Sequence, residues 1–201
     1  MDNAPEDLST RTLHALVLAA GASTRFGSLK QLVRLQGRPL LHLAVSLAVE
    51  VAGQAVTVVL GAHASELSPL LRHTPASIVV NRDWREGIGS SIRAGVARLP
   101  PSCDGVLLLL VDQAALTAED LRRLVSVWRR QPHCVVAAQY ESVTGVPAIF
   151  PRADFASLGE LRGDQGARTL LRRRSASIVR VPLASAAVDI DTPEDLLRLQ
   201  S

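Results

Sequence analysis

The chain has 201 residues, enough for one well-buried core and too few for two comfortable domains. Its hydrophobic fraction is 47% with only 3% aromatic residues, so the core must be mostly Leu, Val and Ala, and rings are too few for base-stacking platforms. A formal charge of +3 suits an anionic small ligand as well as a nucleic acid, so basicity alone decides nothing.

Cys103 and Cys134 stand far apart without ligand-like spacing and read as reduced thiols of a cytoplasmic protein. The five histidines are scattered, none in metal-site spacing. The polar start, MDNAPEDLSTRT, is the reverse of a signal peptide. The longest uncharged stretch, residues 51–65, contains Gly, Gln, Thr and His and is too short to span a membrane.

In chain order, residues 13–19 predict a strand and 39–52 a helix with Pro39 near its first turn. A strand at 55–60, a helix at 64–71, a short strand at 78–80 and a helix at 90–98 follow. Residues 105–111 predict a further strand. Thr117 then caps a helix, with Asp120 as the capping-box acid, and 135–139 is again a strand. This alternation predicts an α/β fold: a single domain with an open, mostly parallel, Rossmann-like sheet and helices on both faces. After Tyr140 the rhythm loosens into a short strand at 148–150, helices at 153–158 and 167–173, a strand at 178–181 and a final helix at 193–200. Residues 1–12 are expected to form a flexible tail and 13–201 the domain.

Ligands of an open parallel sheet bind beyond the carboxyl ends of its strands. There the first strand opens into LAAGASTRFGSLKQL, residues 18–32, a small-residue loop carrying Arg25 and Lys30. Backbone N–H groups of such a loop approach an anion closely, and two cations neutralise it. The stretch is no Walker loop, because the lysine does not directly follow the second glycine, and it lacks the three-glycine dinucleotide pattern. A glycine turn with two solvated cations has the same composition, and composition does not choose between them. Lys30 is the one lysine against 21 arginines, which hints at a place needing a compact ammonium.

Asp112 ends the run GVLLLLVD, where a carboxylate can hold a divalent cation beside a phosphate chain, or simply cap a helix. In VDIDTPEDL, Asp191 or Thr192 can cap a helix with Pro193 in its first turn. Asp189 and Asp191 are neighbours-but-one on an extended segment, and the turn at Pro193 breaks their alternation, so one of them is expected to face the site. The stretch NRDWREGIGSSIRAG, residues 81–95, leads into a helix start suited to a base or ribose, or is a connecting loop with Trp84 as local core. The run LRGDQGARTLLRRR ends in three arginines best read as a solvated helix end.

Taken in this order, these stretches resemble the molybdopterin-type nucleotidyltransferases of the nucleotide-diphospho-sugar transferase fold. The nearest branch is the molybdenum cofactor cytidylyltransferases, whose relatives are often labelled nicotine blue oxidoreductase. The resemblance rests on LAAGASTRFG..K, GRPLL, NRDW..GIGSSIRAG, LVDQ, GVPAIFPR.DF..L..LRGDQGAR and DIDTPEDL. The first motif occurs across the wider superfamily, including sugar-phosphate transferases; the segment 145–168 is far more specific.

The resemblance implies transfer of CMP from CTP to the terminal phosphate of molybdopterin, with release of pyrophosphate. By the same resemblance Leu18, Ala19, Ala20, Gly21, Asn81, Gly87, Ser90 and Ser91 line the nucleoside, and Arg25 and Lys30 take the triphosphate. Arg25, Lys30 and Asp112 become the catalytic set. Asp112 and Asp191 become the Mg²⁺ pair, with Asp189 the second choice, and Gly145, Pro147 and Arg168 bind the acceptor. Ala20, where guanylyl-transferring relatives have glycine, favours CTP over GTP. A molybdoenzyme or its insertion chaperone is the implied protein partner; neither nucleic acid nor membrane is. The alternatives are a GTP-using or sugar- or alditol-phosphate nucleotidyltransferase, or a non-catalytic molybdenum-cofactor-binding accessory. One departure stands out: Ala114 follows Gln113 where the family usually has proline.

Overall fold

Strands with apolar side chains on both faces can be buried only between two layers of helices. The computed structural model, which describes residues 11–23, 26–174 and 177–200, has that arrangement. In chain order the strands are β1 (Leu13–Ala19), β2 (Arg34–Leu35), β3 (Arg38–Pro39), β4 (Val56–Leu60), β5 (Ser77–Val80), β6 (Gly105–Leu110), β7 (Val135–Tyr140), β8 (Val143–Pro151) and β9 (Ile178–Pro182). The helices are α1 (Leu40–Ala52), α2 (Ala64–Leu67), α3 (Ile88–Val96), α4 (Ala118–Arg130), α5 (Phe155–Gly159), α6 (Ala167–Arg173) and α7 (Pro193–Gln200). The tail expected at 1–12 lies outside the described residues up to position 10; Thr12 is tied by its N–H to Asp104 Oδ2 at 2.9 Å.

The seven-stranded sheet has the order β5-β4-β1-β6-β8-β7-β9. Neighbours from β5 to β6 run parallel, as do β7 and β9. Strand order reverses between β1 and β6, and the crevice beyond their carboxyl ends is where such a sheet takes its ligand.

One expectation needs correcting. The short strand at 148–150 is a nine-residue strand, β8, antiparallel to both β6 and β7. Pro147 hid it, since proline within a run argues against an interior strand. The register shifts beside it: Ala137 pairs Ala148 while Ala138 pairs Gly145, so Val146 and Pro147 bulge out of the ladder. On the other side the pairing with β6 ends at Ala148, so Pro147 needs no N–H there either. The β2–β3 hairpin, also unforeseen, turns through Gln36 and Gly37, both at positive φ as a tight two-residue hairpin requires.

Alternation along the strands divides the core in two. Ala15, Val17, Leu107 and Leu109 face α1 and α4, while Leu16, Leu18, Val106 and Leu108 face α3, α5 and α6. The α4 start shows the expected capping box of Thr117 and Asp120. Against the first layer lies Trp128, fully buried over Gly105, where a Cβ would sit 2.3 Å from the ring. The Gly105→Ala variant is therefore expected to lose about 1–3 kcal/mol through overpacking, read from the urea midpoint. Among the described residues no helix is long and apolar enough to cross a membrane.

Candidate active site

Beyond β1 the chain opens into the small-residue loop, and a side chain unmarked by the sequence reading holds it. Gln31, 2% exposed, donates its amide to the carbonyls of Ala19 (3.2 Å) and Gly21 (2.9 Å) and accepts from the Ser23 hydroxyl (3.2 Å). The loop is thus shaped from beneath, and Lys30, next in sequence, begins a short 3₁₀ turn that projects toward β6.

Lys30 Nζ lies 2.8 Å from Asp112 Oδ2 and 2.7 Å from Asp191 Oδ1, so residues 82 and 161 positions away meet on one ammonium. Burial works against that charge, and the two carboxylates outweigh it, raising the ammonium pKa above its ordinary value. Asp189 joins the cluster electrostatically. Although Asp189 is an exposed residue, its carboxyl is pushed up to about 6, by desolvation first and then by the charges of Asp112 and Asp191, against Lys30 and Arg168.

The cap of α7 is made by Thr192 and Asp195, whose side chains exchange hydrogen bonds with each other's backbone N–H. Asp191 is therefore free of capping duty. The Ala114 departure also has a use: its N–H donates to the Asp112 carbonyl at 2.8 Å, a bond that proline could not make. Gln113 ties the same turn to the neighbouring β8 and to the segment after β9, donating to Val146 O (2.8 Å) and Ala186 O (3.2 Å).

Across the crevice, Asn81 is buried and donates to Ser90 Oγ (2.8 Å) and Ser91 Oγ (3.1 Å) while accepting from the Asp83 N–H. The latch fixes the loop before α3. Gly87 has φ +116°, and a Cβ there would meet the Gly163 carbonyl at 2.4 Å and Asp164 Oδ1 at 2.6 Å. Glycine is needed because the segment from the late motif lies directly against it. Glu86 clamps that segment: it forms a two-point ion pair with Arg93 and accepts from the Gly163 N–H at 3.2 Å. Those bonds, Arg93's first, hold its carboxyl down to about 2. Arg93 also donates to the Leu161 carbonyl, and Gly89 N–H to Gly163 O at 3.0 Å.

These elements enclose a cavity of about 600 Å³. Leu18 to Ser23, Lys30, Trp84, Gly87, Ser91, Asp112, Asp164 and Asp191 line it. A second hollow of about 480 Å³, between α1 and residues 113–118, has only Arg38 and Glu50 as charged lining and lacks the carboxylate cluster.

Among the described residues no three His, Cys, Asp or Glu side chains converge as a complete metal cage. The pair Asp112 and Asp191 fits a small divalent ion that keeps most of its shell for water and phosphate oxygens, as Mg²⁺ does. Asp112 Oδ1, a buried acceptor without a donor, agrees with that use.

A family model described as the MobA-like NTP transferase domain matches residues 15–178. The chain belongs to this family. Nicotine blue oxidoreductase of Paenarthrobacter nicotinovorans is 32% identical over 92% of this chain and 94% of its own length. The purine catabolism protein PucB of Bacillus subtilis strain 168 is 30% identical over 91% and 93%. The crystal structure of Rv0371c from Mycobacterium tuberculosis H37Rv superposes with a TM-score of 0.82 at 26% identity, covering 95% of this chain and 98% of that one. Rv0371c has also been solved in complex with manganese, at a TM-score of 0.78 and 25% identity, covering 95% and 99%.

Within this nucleotidyltransferase, the cavity gathers the expected Leu18, Ala19, Ala20, Gly21, Lys30, Gly87, Ser91, Asp112 and Asp191. Arg25 lies outside the described residues. Asn81 and Ser90 are buried behind the lining and bond to each other. The expected acceptor residues meet elsewhere: Arg168 Nη2 donates to Tyr140 Oη at 3.2 Å, and that oxygen packs where a Gly145 Cβ would stand, 2.5 Å away. Pro147 is buried two residues further along β8. The charge of Arg168 reaches Asp189, so this group adjoins the carboxylate cluster. Its helix, α6, is anchored at its far end by an ion pair between Arg174 and the buried Asp154.

Proposed function

We propose that this MobA-like nucleotidyltransferase transfers CMP from CTP to the terminal phosphate of a molybdopterin-type acceptor. The observation that carries the reading is the convergence of the Gln31-shaped loop, Lys30 and the Asp112–Asp191 pair on one cavity. The loop N–H groups, Lys30 and Arg25 hold the triphosphate, while the latched segment at Gly87 and Ser91 covers the nucleoside. Asn81 and Ser90 act by fixing that segment. Arg168, with Gly145 and Pro147 behind it, receives the acceptor phosphate. Its oxygen attacks the α-phosphorus in line, the bond from that phosphorus to the bridging oxygen breaks, and the electron pair leaves with pyrophosphate. Asp112 and Asp191 hold Mg²⁺, which supplies charge neutralisation along the phosphates. The manganese complex of Rv0371c supports a divalent ion here. Such a reaction asks for positioning and charge stabilisation and for no protein nucleophile.

Hydride transfer, suggested by the name of the 32% identical relative, is less well supported, since neither residues 18–32 nor GIGSSI has the three-glycine dinucleotide pattern. A cytoplasmic site of action agrees with the reduced cysteines.

The experiment is pyrophosphate release with each nucleoside triphosphate, with and without molybdenum-loaded molybdopterin. Release with CTP and acceptor together is expected; no release with any pair favours the non-catalytic accessory. CTP is expected to be preferred over GTP. Ala20 lines the cavity, with its methyl held against Gly61, where a Cβ would come within 2.8 Å of it. A single methyl is worth about 1–3 kcal/mol, so the preference in kcat/KM should be roughly tenfold to two-hundredfold. Competition kinetics that favour GTP would overturn the base assignment.

A further inference from the structure

We propose that Lys30 is a built-in counter-cation for the Asp112–Asp191 pair, which a divalent ion must displace and which the nucleotide's triphosphate then takes up. This rests on the reading of Asp112 and Asp191 as metal ligands. The ammonium touches one oxygen of each carboxylate, at 2.8 and 2.7 Å. A magnesium or manganese ion drawing on the same pair would bind at about 2.0–2.2 Å from carboxylate oxygens. Two cations would then share the same two anions at contact distance, with the Lys30 side chain only 13% exposed and little water to screen them. Even with a metal on the free Asp112 Oδ1, the ammonium on Oδ2 would stand close beside it, so the two cations compete for the pair.

The surroundings make the exchange a side-chain motion. The backbone at Lys30 is fixed, because Gln31 is pinned to Ala19 O and Gly21 O and the Lys30 carbonyl accepts from Val33 N–H. What remains free is a flexible four-carbon stem ending in a compact charge. It pivots within a cavity that is also lined by the small-residue loop expected to cradle the triphosphate. An arginine would grip one carboxylate with both arms of its planar fork and release it less readily. That gives a physical reason for the one lysine in an arginine-rich chain. Charge is also kept in balance. Lys30 offsets the charges of Asp112 and Asp191 until a metal replaces it. Metal and nucleotide consequently favour each other's binding, each relieving the other of Lys30.

The test is Mn²⁺ binding to the nucleotide-free protein, followed by the electron spin resonance of free Mn²⁺. The Lys30→Met variant, which keeps the stem, is expected to bind Mn²⁺ about tenfold or more tightly than the wild type. The gain should vanish in Lys30→Met with Asp112→Asn, and Lys30→Met should bind CTP more weakly. If Lys30→Met binds Mn²⁺ no more tightly than the wild type, the proposal is wrong. A second measurement needs no variant. Lys30 is the one lysine, so acetylation of its side chain by an N-hydroxysuccinimide ester can be followed on the wild type by peptide mass spectrometry. Saturating Mn²⁺ should speed that acetylation by freeing the ammonium, and an unchanged or slower rate overturns the proposal. Both readouts are independent of turnover. Failure of CMP transfer would show as absent pyrophosphate release with these metal effects intact.

Discussion

Replacing Asp112 or Lys30 with alanine should lower pyrophosphate release at least a hundredfold while leaving the protein folded. Both side chains stand at the carboxyl edge of the sheet, partly exposed, and neither fills the core. Their removal takes away preorganised charge aimed at the phosphates, a loss that typically costs about a hundred- to a thousandfold in rate. The stability expectation differs from that of Gly105→Ala. Removing Asp112 relieves its repulsion with Asp189 but also takes one carboxylate from Lys30. The two effects oppose each other, so the melting temperature of Asp112→Ala should stay near that of the wild type, checked by thermal unfolding beside the assay. A folded variant turning over near the wild-type rate would remove that residue from the catalytic set.

Asp191→Asn should damage Mg²⁺-dependent turnover far more than Asp189→Asn. Both acids sit before α7, but Asp191 alone shares Lys30 with Asp112 and lines the cavity. Because Thr192 and Asp195 make the helix cap, the amide at 191 leaves the helix start intact. A magnesium titration of both variants should show the apparent metal affinity of Asp191→Asn lowered about tenfold or more, with Asp189→Asn little changed. The opposite ranking would make Asp112 and Asp189 the metal pair.

Much of this arrangement was legible in the chain. Apolar runs at 13–19, broken only by His14, and at 105–110 read as buried parallel strands because both faces of each are covered. The capping box at Thr117 and the stop of β1 at a small-residue loop are local signals, and local signals transmit well. The juxtaposition of Lys30 with Asp112 and Asp191 came from motif order, since contacts over 82 and 161 positions leave no periodicity to read.

What escaped is long-range or depends on a local rule being broken. β8 was cut short because proline argues against a strand, and only the bulge at Val146 and Pro147 lets it continue. Gln31 gave no signal: a glutamine beside a loop is ordinary until it is seen buried, bonded to two carbonyls. Asn81 and Ser90 are polar residues at a ligand edge, and nothing in their spacing tells a nucleoside contact from a latch beneath one. The clamp of Glu86 and Arg93 on residues 161–163 joins two motifs that the sequence presents nearly seventy or more positions apart.

Isotope placement tests the central claim most directly. The purified protein is given Mg²⁺, molybdenum-loaded molybdopterin and CTP labelled in separate reactions at the α- and γ-phosphates. Nucleotidyl transfer at this site predicts α-label in the acceptor product and γ-label in pyrophosphate, with both lost in Asp112→Ala. Label from the γ-phosphate in the acceptor, or in free orthophosphate with none transferred, would contradict it.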